Sequence, residues 1–222
     1  MLIKPLAGPF CIALFLGIAG WTGVVAGPVR AQDVRITESM ARAEFALNGR
    51  PVVIERNQDP KAVVDPEFSK TSRACPPFCI HPMQAAPGVT TLGELEVIEF
   101  LRSKVGTGAG ILMDSRLPEW NAKGTIPGAI NVPFATLAPN NPYRDEILQA
   151  LGARPLSNGA LDFSQVLDVA LFCNGPWCDQ SPRAIRYLLE AGFPPDKLFY
   201  YRGGMQNWLL LGLTVVKPIE QG

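Results

Sequence analysis

The stretch Val169-Ala-Leu-Phe-Cys173-Asn-Gly-Pro-Trp-Cys178-Asp-Gln-Ser181-Pro-Arg-Ala184 runs from an apolar segment through a short polar loop into a second patterned segment. Residues 166–172 read as a strand buried on both faces, being short and continuously apolar at their end. Ser181 suits an N-cap and Pro182 the first helical position, so a helix is expected over residues 182–191. Ala184, Ile185, Leu188 and Leu189 then share one face, and Gly192 provides a stop. Residues 173–180 become a loop between a strand end and a helix N-terminus, where backbone N–H groups and the helix dipole favour an anion. A thiol held there should ionise more readily than a free one, which makes Cys173 the candidate nucleophile. A cysteine at a strand end is otherwise only a small buried apolar residue.

Outward from this loop, the same alternation repeats. Strands are expected at residues 110–114, 128–133 and 197–201, and helices at 91–103, 143–152 and 204–211. In the first helix Leu95, Ile98 and Leu101 are spaced along one face. Strands separated by helical segments imply an α/β fold with a central, mostly parallel sheet flanked by helices. Ligands bind outside the carboxyl ends of such strands, which directs attention to the loops after Asp114 and Phe172.

Residues 32–88 lack this rhythm. A short helix over 36–47 and a strand over 51–55 are expected, followed by Asp59-Pro60, Asp65-Pro66 and Cys75-Pro-Pro77, which interrupt any regular element. They read as an irregular N-terminal extension, too thin to fold alone.

Residues 1–31 read as an address. Lys4 precedes an uncharged run from Leu6 to Gly27, and Val29-Arg-Ala31 offers small residues at a cleavage site. The reading adopted is a secretory signal peptide cleaved after Ala31, with export to a periplasm-like compartment. An uncleaved membrane anchor and a buried core helix are the alternatives. Removal takes Lys4, Arg30 and Cys11 with it, leaving slightly more acidic than basic residues and four cysteines.

Composition narrows the function classes. The 222 residues balance 20 basic against 20 acidic side chains, so no basic face for nucleic acid is expected. A single histidine excludes any site that needs two. Apolar residues at 47% supply a core.

Three motifs resemble the rhodanese-type sulfurtransferase family. Asp114-Ser-Arg116 with Trp120, then Gly124-Thr-Ile-Pro-Gly-Ala-Ile-Asn-Val-Pro133, is similar to the family's first signature; Cys173 through Ala184 is similar to its catalytic loop and helix; and Arg202-Gly-Gly-Met-Gln-Asn-Trp208 with Gly212 is similar to its second. Together they span residues 89–217. The resemblance implies a rhodanese-like fold, no cofactor, and two-step transfer of a sulfane sulfur through a Cys173 persulfide. The donor would be a small molecule such as thiosulfate and the acceptor a thiol or a cyanide-like nucleophile. The anion-binding loop would be Asn174, Gly175, Pro176, Trp177, Asp179, Gln180, Ser181 and Arg183. Asp114 and Arg116 would tie neighbouring loops together, Trp120 and Trp208 would pack, and Gly203 and Gly204 would serve a tight turn.

The chain departs from the family pattern where Gln180 replaces an Arg before the serine, and Thr125 replaces a His. Arg183 would either compensate for the missing Arg or pair with Asp179. The related phosphatases need Cys-x5-Arg, but Cys178 is not a base and position 179, where the Arg would fall, is Asp, which disfavours phosphoryl chemistry.

Cys178 has three readings: resolving the persulfide, guarding Cys173 by reversible oxidation, or forming a permanent disulfide with it. Cys75-Pro-Pro-Phe-Cys79-Ile-His81-Pro-Met83 admits a local disulfide, a thiol relay to Cys173, or a soft-metal site of Cys75, Cys79, His81 and Met83. The rival functions are therefore a thiol–disulfide relay with a redox protein partner and a noncatalytic rhodanese-like binding module. A membrane partner is expected only if residues 1–31 stay attached.

Overall fold

The computed structural model describes residues 33–218, so the expected signal segment lies outside the described residues. The chain begins with a hairpin of β1 (Arg42–Leu47) and β2 (Arg50–Glu55), followed by the one-turn helix α1 (Pro66–Ser69). Then come β3 (Thr90–Leu92), α2 (Glu94–Phe100), β4 (Gly110–Asp114), the short α3 (Pro118–Asn121) and β5 (Ala129–Asn131). Helix α4 (Arg144–Ala150) precedes a minimal pair, β6 (Arg154–Pro155) and β7 (Leu161–Asp162). The chain closes with β8 (Asp168–Phe172), α5 (Gln180–Glu190), β9 (Leu198–Tyr201) and α6 (Gly204–Leu210).

Five strands form the central sheet in the order β3-β9-β8-β4-β5, every neighbouring pair parallel. Side chains alternate across it, as the two-residue repeat of a strand requires. Leu112, Ala170, Phe172 and Tyr201 join α2, α6 and the hairpin on one face. Met113, Val169, Leu171, Leu198 and Tyr200 meet α4 and α5 on the other. Burial on both faces explains why β8 reads as an apolar run after Asp168.

The expected helix over residues 36–47 is instead β1. Ala43 and Phe45 point into the core while Arg42, Glu44 and Ala46 face solvent, a period of two. The turn is Asn48-Gly49, both at positive φ (50° and 74°), the geometry that lets a two-residue loop match the twist of its strands. The hairpin delivers Phe45 and Ile54 to the core, and Phe68 of α1 joins them. Asn57 donates to the carbonyl of Gly212 at 2.7 Å and Thr214 to that of Glu55 at 3.0 Å, fixing the extension to the chain's last segment.

The helix expected from residue 91 begins at Glu94, because Thr90–Leu92 pairs with β9 as an edge strand. Its buried face is Val97, Ile98, Phe100 and Leu101, whereas Leu95 is 48% exposed. Among the described residues no helix is long and apolar enough to cross a membrane.

Candidate active site

Strand β8 is central in the sheet and ends at Phe172, so Cys173 stands at the carboxyl edge where parallel strands leave their loops. Helix α5 starts at Gln180, one residue before the expected N-cap. Ser181 lies inside its first turn, and no side chain caps the helix. The Ser181 N–H, one of the donors that a helix start leaves unpaired, lies close enough to Cys173 Sγ to favour its thiolate. Pro182, next in line, has no N–H to satisfy.

The Gly175 N–H, the Ser181 hydroxyl and the Cys178 thiol also lie close enough to this sulfur to favour its charged form. The Ser181 hydroxyl is buried with no hydrogen-bond partner and lies close to this sulfur. As a thiol, Cys173 donates to the Cys178 carbonyl 3.2 Å away. Burial opposes ionisation of Cys173, which is only 2% exposed, but the neighbouring donors outweigh it and hold its pKa below the ordinary thiol value. Cys178, 6% exposed, is pushed the other way by burial and then by its bond to the Cys173 sulfur and that sulfur's charge. The pair therefore consists of one sulfur prepared as an anion and one kept as a proton donor, both free of disulfides. Tyr200 stays protonated beside them, its phenol raised by burial and by charge at Cys173, and its hydroxyl is buried without a partner.

The loop is held from two directions. From below, Met205 donates to the Cys173 carbonyl at 3.0 Å and Gln206 to the Asn174 carbonyl at 2.9 Å, so the open N–H groups of α6 are taken up by the nucleophile's own backbone. Gly204 permits this contact. Its φ is +55°, and a Cβ there would lie 2.3 Å from the Cys173 carbonyl. Sequence reading assigned Gly203 and Gly204 to a turn; only the folded chain places Gly204 against Cys173.

From above, residues 65–83 of the extension cross the loop as a strap. The Arg73 guanidinium stacks on the Trp177 ring at 3.7 Å, and Phe78 meets the same ring edge-on at 5.7 Å. The His81 N–H donates to the Pro176 carbonyl at 2.8 Å. Arg202 clamps the strap through the His81 and Pro82 carbonyls. Gln206 joins both layers, accepting the Trp177 indole N–H at 2.8 Å and donating to the Phe68 carbonyl at 2.9 Å. Cys75 and Cys79 are bonded to each other within the strap. Their sulfurs are therefore committed to a disulfide, and the soft-metal reading of Cys75, Cys79 and His81 is corrected. His81 itself has its pKa lowered, by burial first and then by Arg186 and Arg202, with Asp179 opposing.

The other anticipated loop residues are distributed differently. Arg183 pairs with Asp179 one helical turn away and covers the Phe134 ring at 4.9 Å, so it does not take the place of the absent Arg. Gln180 accepts from the Cys178 thiol at 3.6 Å. Trp177 is engaged by Arg73, Phe78 and Gln206. A further cation against the loop comes from the extension, as Arg73, which nothing in the sequence pattern connected with Cys173.

Asp114 and Arg116 form a buried scaffold at the end of β4. Arg116 grips the carboxylate through Nε at 2.8 Å and Nη2 at 2.6 Å and reaches the Gly124 carbonyl at 2.7 Å. Asn121 and Thr125 add bonds of 2.9 and 2.8 Å to the same carboxylate. Thr125, which stands where the family pattern has a His, is thus a donor to this carboxylate. Asn131 ties both carbonyls at 2.9 Å, and Ser115 donates to the Phe172 carbonyl at 3.0 Å, linking this scaffold to the residue before Cys173.

Comparison with known proteins gives a consistent family and a set of more distant likenesses. The Rhodanese-like domain family matches residues 98–211. A curated relative, the HTH-type transcriptional regulator Rv0324 of Mycobacterium tuberculosis, is 32% identical over 124 residues, 56% of this chain. The match spans 43% of that relative, less than half its length. Among solved structures, a human single-domain sulfurtransferase is 22% identical, covering 56% of this chain and 96% of its own, with a TM-score of 0.36. A rhodanese with anions from Escherichia coli is 24% identical, covering 50% and 100%, with a TM-score of 0.34.

Proposed function

Because this chain belongs to the rhodanese-like domain family, we propose that it is a sulfurtransferase whose Cys173 carries a sulfane sulfur as a persulfide. The observation that carries this reading is a buried cysteine sulfur, free of disulfides, at the end of the central strand and against the start of α5, where neighbouring N–H and hydroxyl groups favour its thiolate. In the first half-reaction the Cys173 thiolate attacks the outer sulfur of thiosulfate. An S–S bond forms to Cys173, the donor's S–S bond breaks, and sulfite leaves with the electron pair. The same donors that stabilise the thiolate are placed to stabilise the persulfide anion. Arg73 and Arg202 supply positive charge near the loop that its own residues lack. In the second half-reaction a nucleophile takes the outer sulfur. Dividing one difficult transfer between two covalent steps is the advantage of the nucleophile.

We propose export as well: a disulfide at Cys75–Cys79 is supported by an oxidising compartment and agrees with the character of residues 1–31.

Sulfite release tests the reading. Protein reduced at Cys173 and Cys178 and mixed with thiosulfate under anaerobic conditions should release one sulfite per chain in a burst. Cys173→Ser should abolish the burst and Cys75→Ser should leave it. A wild-type protein that releases no sulfite from thiosulfate, and neither gains sulfur nor releases sulfide with an organic persulfide, is not a sulfurtransferase. The opposite pKa directions of Cys173 and Cys178 also suit a dithiol that exchanges electrons alone. That alternative predicts disulfide chemistry with no sulfite burst.

A further inference from the structure

Cys178 is enclosed in the same loop as Cys173. A turn closed by the Cys178 N–H on the Gly175 carbonyl at 2.9 Å folds residue 178 back over residue 173, and the Cys178 carbonyl ends 3.2 Å from the Cys173 sulfur. The Cys178 thiol is within hydrogen-bonding reach of that sulfur and of Gln180 Oε1, 3.6 Å away. Both sulfurs lie beneath a loop whose outer surface, Pro176 and Trp177, is covered by Arg73, Phe78 and His81. A bulky acceptor approaching from solvent meets this cover, whereas Cys178 is already inside it.

We propose that Cys178 is the resolving residue of this site: it attacks the Cys173 persulfide from within the loop, releases hydrogen sulfide, and leaves a Cys173–Cys178 disulfide. The proposal rests on the sulfurtransferase reading and names the acceptor step of that site. Cys178 sulfur attacks the inner sulfur of Cys173–S–SH. The bond between the two cysteine sulfurs forms, and the bond to the outer sulfur breaks. The outer sulfur leaves as hydrosulfide with the electron pair and takes up the proton given up by the Cys178 thiol. The two cysteine sulfurs are oxidised and the sulfane sulfur is reduced to sulfide, so the step needs no outside oxidant. Turnover then requires a dithiol reductant, a protein or small molecule, to reopen the disulfide. The natural partner is thus a dithiol reductant rather than a sulfur-accepting thiol, and sulfide is the product.

The test follows the full-length protein by intact mass under anaerobic, non-reducing conditions after one equivalent of thiosulfate, with an organic persulfide in a parallel arm. Wild type should lose two hydrogens rather than gain a sulfur, release about one sulfide per chain, and yield a peptide joining residues 173 and 178. Cys178→Ser and Cys178→Ala should each hold the added sulfur as a stable persulfide and release no sulfide until an external thiol is added. Two variants guard against one failing to fold, and a circular dichroism spectrum matching wild type confirms each. Wild type retaining the added sulfur with no Cys173–Cys178 linkage overturns the resolving role and leaves sulfur transfer standing. No sulfur uptake by wild type or either variant, from either donor, overturns both.

Discussion

His81 donates its main-chain N–H to the carbonyl oxygen of Pro176 at 2.8 Å, binding a segment that precedes the sheet to the loop that follows its central strand. Around this bond gather Arg73, Phe78, Trp177 and Arg202. The extension is therefore part of the Cys173 site, and its covalent state bears on access to the thiol.

Opening the strap should expose the nucleophile. The double variant Cys75→Ser, Cys79→Ser loses a loop closure worth at most about 2 kcal/mol, since the loop is short. Alkylation of Cys173 by iodoacetamide should accelerate several-fold, read by mass after trapping. An unchanged rate would mean that the strap does not limit access.

Cys173 should alkylate with a pH midpoint below that of a free thiol, the rate rising with pH as the thiolate forms. Cys178→Ala removes one donor to the anion, so the midpoint should move upward and the rate near neutral pH should fall roughly tenfold. Ser181→Ala should act in the same direction through its lost hydroxyl. A midpoint unmoved in both would contradict the donor arrangement described for Cys173.

Replacing Gly204 by Ala introduces a Cβ at 2.3 Å from the Cys173 carbonyl on a backbone already at φ +55°. The left-handed conformation alone costs about 1–2 kcal/mol. Displacement of the loop should lower the sulfite burst rate on the order of a hundredfold. Urea denaturation and stopped-flow sulfite release would separate the two effects. Gly203→Ala should be milder, because its nearest neighbours include the flexible side chain of Asn207.

The buried Asp114–Arg116 pair should be intolerant of removing one partner. Asp114→Ala strands a guanidinium that is 1% exposed, at a cost of about 3–5 kcal/mol by urea denaturation. Asp114→Asn keeps the shape but loses the charge and should fall between.

Arg73→Ala should weaken thiosulfate turnover while sparing a neutral organic persulfide, because only the dianionic donor gains from a cation beside Trp177. Equal losses with both donors would assign Arg73 to packing. Raising the salt concentration should narrow the difference between wild type and variant.

Much of the sheet was legible because its central strands are buried on both faces and so appear as apolar runs, as at residues 169–172. The helix faces of α4 and α5 followed from their spacing. The hairpin was misread, although Asn48-Gly49 between alternating residues carried its signal; Ile36, Met40 and Leu47 at helix-like intervals masked a period of two. Cys173, Cys178, Asp114 and Arg116 could be singled out by local pattern. Arg73 could not, and His81 was singled out only as a metal candidate, since their relation to Pro176 and Trp177 joins positions roughly a hundred residues apart and arises only when the extension folds across the loop. Gly204 was visible as a turn residue, but its closeness to the Cys173 carbonyl depends on α6 abutting β8.

The contribution of Phe45, Ile54 and Phe68 to the core has a practical corollary for anyone dissecting this protein. A fragment trimmed to the family match at residues 98–211 would shed the hairpin, the edge strand β3 and the cover over Trp177. Leu101 and Leu112 would be bared to water, and such a truncate would be prone to stick to itself. Excision should therefore begin ahead of Arg42.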